Sequence, residues 1–185
     1  MRFLLFISFV FVLTNGNAQT SAATQRMTGI QLQLFQPGLL VYHEQPLFAA
    51  VVLRAEIGLL AGYGRRTSAG EQSTRSYGLN AFATVSPRLY YNLNTYQERR
   101  RSTTRNAANF LSLRTTWSPG WGWVSNTNGF ALTQGVTVLP TWGVSRTAGP
   151  LRWEVSAGVG YRYTAPKGDR KTSGGAIDLR FAIGF

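Results

Sequence analysis

Within segments of alternating polarity, three pairs of opposite charges stand two positions apart: Arg54 with Glu56, Arg152 with Glu154, and Asp178 with Arg180. Side chains on a β-strand switch faces at every residue, so this spacing puts both members of a pair on one side. Arg88, Arg114 and Arg162 fall on similar faces, among Gly, Ser and Thr. If those faces converge on an interior, each charge must find a partner or water, because an unpaired buried charge costs about 3–5 kcal/mol. The chemistry expected of Arg54, Glu56, Arg88, Arg114, Arg152, Glu154, Arg162, Asp178 and Arg180 is therefore a salt-bridge network that fills and locks an interior. Six arginines against three acids leave a positive surplus, and that surplus supplies the alternative: an anion site or a narrow anion-conducting pore.

A second basic group lies between these segments. Arg65, Arg66 and Arg75 flank one polar stretch, and Lys167, Arg170 and Lys171 lie in another. The planar fork of arginine matches phosphate oxygens, so these residues are candidates for lipid-phosphate contact. Nucleic acid is not an expected partner, since the basic residues do not form one surface interleaved with aromatics. Catalytic constellations are scarce. The chain has no Cys and a single histidine, His43, beside Glu44. It contains no Gly-x-Ser-x-Gly, phosphate loop or metal-ligand cluster. No catalytic residue, cofactor or metal is expected.

The elements that must carry these residues are long strands. From Tyr77 to Leu93, Tyr77, Leu79, Ala81, Ala83, Val85, Pro87, Leu89, Tyr91 and Leu93 alternate with Gly78, Asn80, Phe82, Thr84, Ser86, Arg88, Tyr90 and Asn92. The same split recurs. Leu53, Ala55, Ile57 and Leu59 oppose Arg54, Glu56 and Gly58. Leu111, Leu113 and Trp117 oppose Ser112, Arg114 and Thr116. Val136, Val138 and Trp142 oppose Gly135, Thr137, Thr141 and Gly143. Trp153, Val155, Val159 and Tyr161 oppose Arg152, Glu154, Ser156 and Arg162, and Ile177, Leu179, Phe181, Ile183 and Phe185 oppose Asp178 and Arg180.

Two architectures use such strands. A soluble sandwich or lipocalin-like barrel turns the apolar face inward, whereas an outer-membrane barrel turns it toward lipid and keeps a polar lumen. Three features favour lipid. The runs exceed the usual strand of about 5–6 residues, while a tilted membrane strand needs about 9–11. The polar faces are rich in Gly, Ser and Thr with isolated charges, which suits a narrow lumen better than a solvated surface. Aromatic residues gather near strand ends (Tyr63, Tyr77, Tyr91, Trp117, Trp121, Trp123, Phe130, Trp142, Trp153 and Tyr163), where interfacial girdles sit.

Both termini agree. Met1-Arg2 is a positive start, Phe3 to Leu13 is apolar except for Ser8, and Gly16-Asn17-Ala18 carries the small residues of a leader-peptidase site. This reads as a signal peptide cleaved after Ala18, too short for a spanning helix of about 20 residues. At the other end Leu179, Phe181, Ile183 and Phe185 alternate up to the last residue. That pattern resembles the C-terminal insertion signal of bacterial outer-membrane proteins, which implies the barrel-assembly machinery as a partner during insertion. Composition fits: of 185 residues, only 14% are charged, 20 are Gly and 13% are aromatic, with a net charge of +12. These values exclude a disordered basic tail and argue against a helical bundle.

Six strands begin near residues 49, 75, 108, 129, 151 and 175, and a seventh runs from Gly29 to about His43. Single-chain bacterial barrels have even counts. Gln36-Pro37-Gly38 offers a turn that would split the first region into two, giving eight; otherwise the eighth strand lies in the polar stretch before Met27, or Pro37-Gly38 is only a bulge. With Phe185 in the periplasm, stretches near 64–74, 120–128 and 165–174 face outward, and those near 43–48, 94–107 and 146–150 face the periplasm. His43 then falls at a periplasmic turn, the wrong side for an enzyme acting on outer-leaflet lipid A. The longest link, with Glu98-Arg99-Arg100-Arg101, is also periplasmic, where short turns are the norm.

Leu53-Arg54-Ala55-Glu56-Ile57-Gly58-Leu59, Pro87-Arg88-Leu89-Tyr90-Tyr91-Asn92-Leu93, Asn109-Phe110-Leu111-Ser112-Leu113, Leu139-Pro140-Thr141-Trp142-Gly143 and Gly158-Val159-Gly160-Tyr161-Arg162-Tyr163 resemble segments of small, uncharacterised outer-membrane barrels of Bacteroidetes-type bacteria. The resemblance spans about Ile30 to Phe185 and implies fold and location, with no catalytic residues to transfer. The expectation is an all-β protein: a signal peptide at 1–18, then at 19–185 an antiparallel up-and-down transmembrane β-barrel of eight strands in the bacterial outer membrane. Its expected role is structural or envelope-interacting, with outer-membrane lipid and lipopolysaccharide as partners. A conducting pore is the alternative and a lipid A-modifying enzyme the least favoured. Nothing in the sequence fixes an oligomeric state.

Overall fold

The computed structural model describes residues 24–48, 50–66, 74–99, 103–124, 134–164 and 172–185. The signal segment ending at Ala18 lies outside them, as do Phe130, Lys167, Arg170 and Lys171. Strand segments are β1 (Met27–Gln33), β2 (Gly38–Phe48), β3 (Val51–Arg66), β4 (Thr74–Leu89), β5 (Asn109–Pro119), β6 (Gly122–Val124), β7 (Gln134–Ala148), β8 (Leu151–Thr164) and β9 (Thr172–Gly184). Every pairing between them is antiparallel. The last strand returns to the first through Gln31↔Gly184 and Gln33↔Ala182, which closes the sheet on itself. The short β6 resumes the path of β5 beyond Gly120 and stays on β4, with Gly78 opposite Val124. Gly120 has φ +72°, a conformation that a Cβ disfavours, so the glycine permits this break. Counting β5 and β6 as one position, the fold is eight antiparallel strands in one ring-closed sheet.

Eight strands require that Gly29 to His43 not be one strand. The chain reverses over residues 34–37, and β2 then pairs with β3 from Gly38↔Leu60 to Phe48↔Val51. His43 is consequently not at a turn. It lies inside β2 on the exposed outer face, with Nδ1 2.7 Å from Thr28 Oγ1 of β1. Nor are residues 43–48 a connection, since β2 continues to Phe48. The Pro-Gly pair accounts for all of this: once it turns the chain, every residue from Gly38 onward can pair with β3.

Alternation sorts the side chains as the period of two requires. Leu53, Ala55, Ile57, Val85, Leu111, Leu113, Val159 and Ile177 point away from the ring axis, while Arg54, Glu56, Arg88, Arg114, Glu154 and Arg180 point toward it. The long link between β4 and β5 is not an open loop. It holds a short helix, α1 (Leu93–Glu98), and a 3₁₀ turn at Thr104–Asn106. Leu93 and Ala108 are buried with Val52, Tyr90 and Phe110 in an apolar cluster at this end of the ring. The link's length thus has a structural reason: it folds back and caps the interior.

Candidate functional site

Inside the ring, the inward positions of six strands bring their charges together. Arg54 on β3 sits at the centre, fully buried. Its Nη1 donates to Glu44 Oε1 at 2.9 Å, its Nε to Glu56, and its Nη2 to the amide oxygen of Gln31. Its guanidinium carbon lies 3.9 Å from the centre of the Tyr42 ring, a cation–π contact from the apolar side. Arg88 on β4 grips Glu154 on β8 with both prongs, at 2.8 and 2.9 Å, and covers the Phe110 ring at 4.3 Å. Arg180 on β9 donates from one nitrogen to both oxygens of Glu56, at 2.9 and 3.1 Å. Arg114 on β5 bonds Asp178 on β9 at 2.6 Å.

Glu44 is the group that ties this cluster to the cap. It accepts from Arg54 and, at 3.1 Å, from Arg152 Nη2. Asn106, at the end of the 3₁₀ turn, donates to its other oxygen at 2.8 Å. The Tyr90 hydroxyl stands 3.2 Å from the same oxygen and 3.2 Å from Arg152 Nη2. Burial, reinforced by the Glu44 charge, pushes the Tyr90 phenol up to about 12, so it remains a protonated donor. Arg152 Nε is satisfied by Ser145 Oγ at 2.8 Å. Asn106 has φ 56°, a left-handed conformation that asparagine tolerates better than most residues. Its amide also donates to the backbone oxygen of Gln25, which draws the segment before β1 into the closure.

Of the residues expected from spacing, Arg54, Glu56, Arg88, Arg114, Arg152, Glu154, Asp178 and Arg180 meet in this network. Arg162 does not: it stands near the far end of β8, exposed, with Nε 3.2 Å from Thr137 Oγ1. Sequence reasoning missed Glu44, Gln31, Tyr90 and Asn106. Glu44 had a signal, since Leu40, Tyr42 and Glu44 alternate inward once the chain has turned before Gly38. With Glu44 included and Arg162 set apart, five arginines face four acids. The surplus shrinks to one charge, and Arg54, Arg152, Glu44 and Glu154 are each 0% exposed.

Arg65, Arg66 and Arg75 occupy the opposite end of the ring from the cap. Backbone register sets Arg65 against Arg75 and Arg66 against Thr74 across β3 and β4. No group of three or more His, Cys, Asp or Glu able to hold a metal occurs among the described residues, and none of the described helices is long and apolar enough to cross a membrane. Chemically, the network can hold eight strands in one register, with Glu44, Glu56 and Glu154 each paired to buried arginines. Comparison of the chain with protein-family models, curated proteins and solved structures gave no match.

Proposed function

We propose that this protein is a small outer-membrane β-barrel, inserted after removal of a signal peptide at Ala18, with a structural or envelope-interacting role. The observation that carries the reading is the inversion of the usual soluble pattern. Charges fill the interior, while Ile57, Val159 and Ile177 on the outside are 64%, 65% and 81% exposed. Soluble monomers rarely leave a continuous apolar surface of this kind uncovered. Aliphatic residues occupy the middle of the outer strands. Exposed aromatics lie toward both ends: Tyr77, Trp117, Trp121, Tyr161 and Tyr163 at one, Phe48, Tyr91, Trp153 and Phe185 at the other. That order matches an acyl-chain band between two interfacial girdles. The seven longer strands, of 11 to 16 residues, are sufficient for a tilted crossing, which needs about 9–11.

The capped, charge-filled interior favours this role over conduction. At the end opposite the link, the backbone register of β3 and β4 sets Arg65 against Arg75, two like charges at neighbouring positions. We assign Arg65, Arg66 and Arg75, together with Lys167, Arg170 and Lys171 of the stretch outside the described residues, to contact with lipopolysaccharide phosphates. The test is electrophoresis of cold and boiled samples after refolding with and without detergent micelles. A boiling-dependent mobility shift with β-type circular dichroism, seen only with detergent, is expected; a monodisperse β protein in plain buffer would overturn the membrane reading. In the same micelles, replacing Arg65, Arg66, Lys167, Arg170 and Lys171 by Gln is expected to lower lipopolysaccharide retention. Unchanged retention removes that contact.

A further inference from the structure

Beyond the network, toward the end of the ring opposite the link, lies a polar cavity of about 190 Å³. Arg114, Arg162 and Asp178 line it, together with Asn80, Thr116 and Thr137. Arg114 Nη1 engages Asp178 Oδ2 at 2.6 Å, so the carboxylate on this wall is already bonded to one of its two guanidinium groups. Arg162 bonds Thr137 and makes no ion pair among the described residues. Two buried atoms of the wall have no hydrogen-bond partner among the described residues: Nε of Arg114, a residue 91% buried, and Oδ1 of Asn80. The first is a buried N–H donor, and such a group costs free energy until an acceptor meets it. The wall carries two cations against one anion, and the threonine hydroxyls add donors that rotate to suit a guest.

We propose that this cavity is a binding site for a small oxyanion, a phosphate or a carboxylate, held between the guanidinium groups of Arg114 and Arg162. The planar forks of both arginines match the oxygens of either group, and low local dielectric strengthens the attraction. Closure of the interior below the cavity makes this a site of residence and not of passage. It lies inside the ring, so it does not depend on what covers the outer face.

The experiment is isothermal titration of the protein as isolated from expressing cells, in whichever of detergent or plain buffer it is monodisperse, with sodium phosphate and then sodium acetate. Saturable binding of at least one is expected at a single site, with chloride at equal ionic strength giving none. Arg162→Gln, a change at an exposed position, is expected to weaken it about tenfold, the effect of one charge-assisted hydrogen bond, and Arg162→Lys less. Arg114→Gln is expected to weaken it too and also tests the buried partner. Absence of saturable binding of both anions, or equal affinity in Arg162→Gln and wild type, would overturn the proposal. Repeating the phosphate titration with phosphatidylglycerol in the micelles separates two sources of the same chemistry. Undiminished binding assigns the site to a soluble anion, and competition assigns it to a lipid headgroup.

Discussion

Glu44 shows how much one carboxylate decides in this protein. It is fully buried, and its oxygens face Arg54, Arg152, Asn106 and the Tyr90 hydroxyl. Removing one member of a buried ion cluster strands its partners without water, and the penalty exceeds what the pair itself contributed. Glu44→Ala is therefore expected to destabilise the fold by about 3–5 kcal/mol, read as the shift in urea unfolding. Asn106→Ala, which deletes a neutral donor, is expected to cost less, about 1–3 kcal/mol. Equal stability of Glu44→Ala and wild type would mean that the arginines find other partners. In the sequence Glu44 looks like a solvated neighbour of His43. Its role follows from the reversal at residues 34–37, which sets the parity of β2 and so the face on which Glu44 lies.

Strands and the cap depend on each other through close fits between elements. Gly143 on β7 faces Phe110 on β5, and a Cβ there would stand 2.3 Å from the ring. The glycine leaves room for Phe110 to reach Val52, Tyr90, Leu93 and Ala108 beneath the link. Ser145 N–H, next along β7, bonds the Ala108 carbonyl at 3.0 Å and fastens the link's end. Gly143→Val is expected to expel Phe110 from this cluster, with a cost of about 1–3 kcal/mol for the forced overpacking. Trypsin is then expected to cut faster after Arg99, an exposed residue of the link, than in wild type. An unchanged cleavage rate would show that the cap holds without Phe110. The strands themselves were legible because alternation is local. The cap was not: a polar, arginine-rich link gives no periodic signal, and Leu93, Ala107 and Ala108 become core residues only through what they fold against.

At the scale of the whole molecule, eight strands make a ring whose interior side chains can fill. Here they fill it with charge. With the network buried and the link closing one end, planar-bilayer recordings of the refolded protein are expected to show no reproducible stepwise current. Steady anion-selective steps would mean that the network opens in a membrane.

The sequence by itself determined the strand class, the two faces of each strand and most of the members of the interior charge set. Those properties rest on the period of two, which any reader of the chain can apply residue by residue. Tertiary structure alone decided which charges meet. Arg88 and Glu154 are 66 residues apart, and Arg180 and Glu56 are 124 apart. Their pairing depends on register carried strand by strand around a closed ring, where a shift of one residue turns a whole face over. Closure also placed Arg162 apart from the network and brought Glu44 into it. No local pattern contains that information, because it exists only once the last strand has met the first.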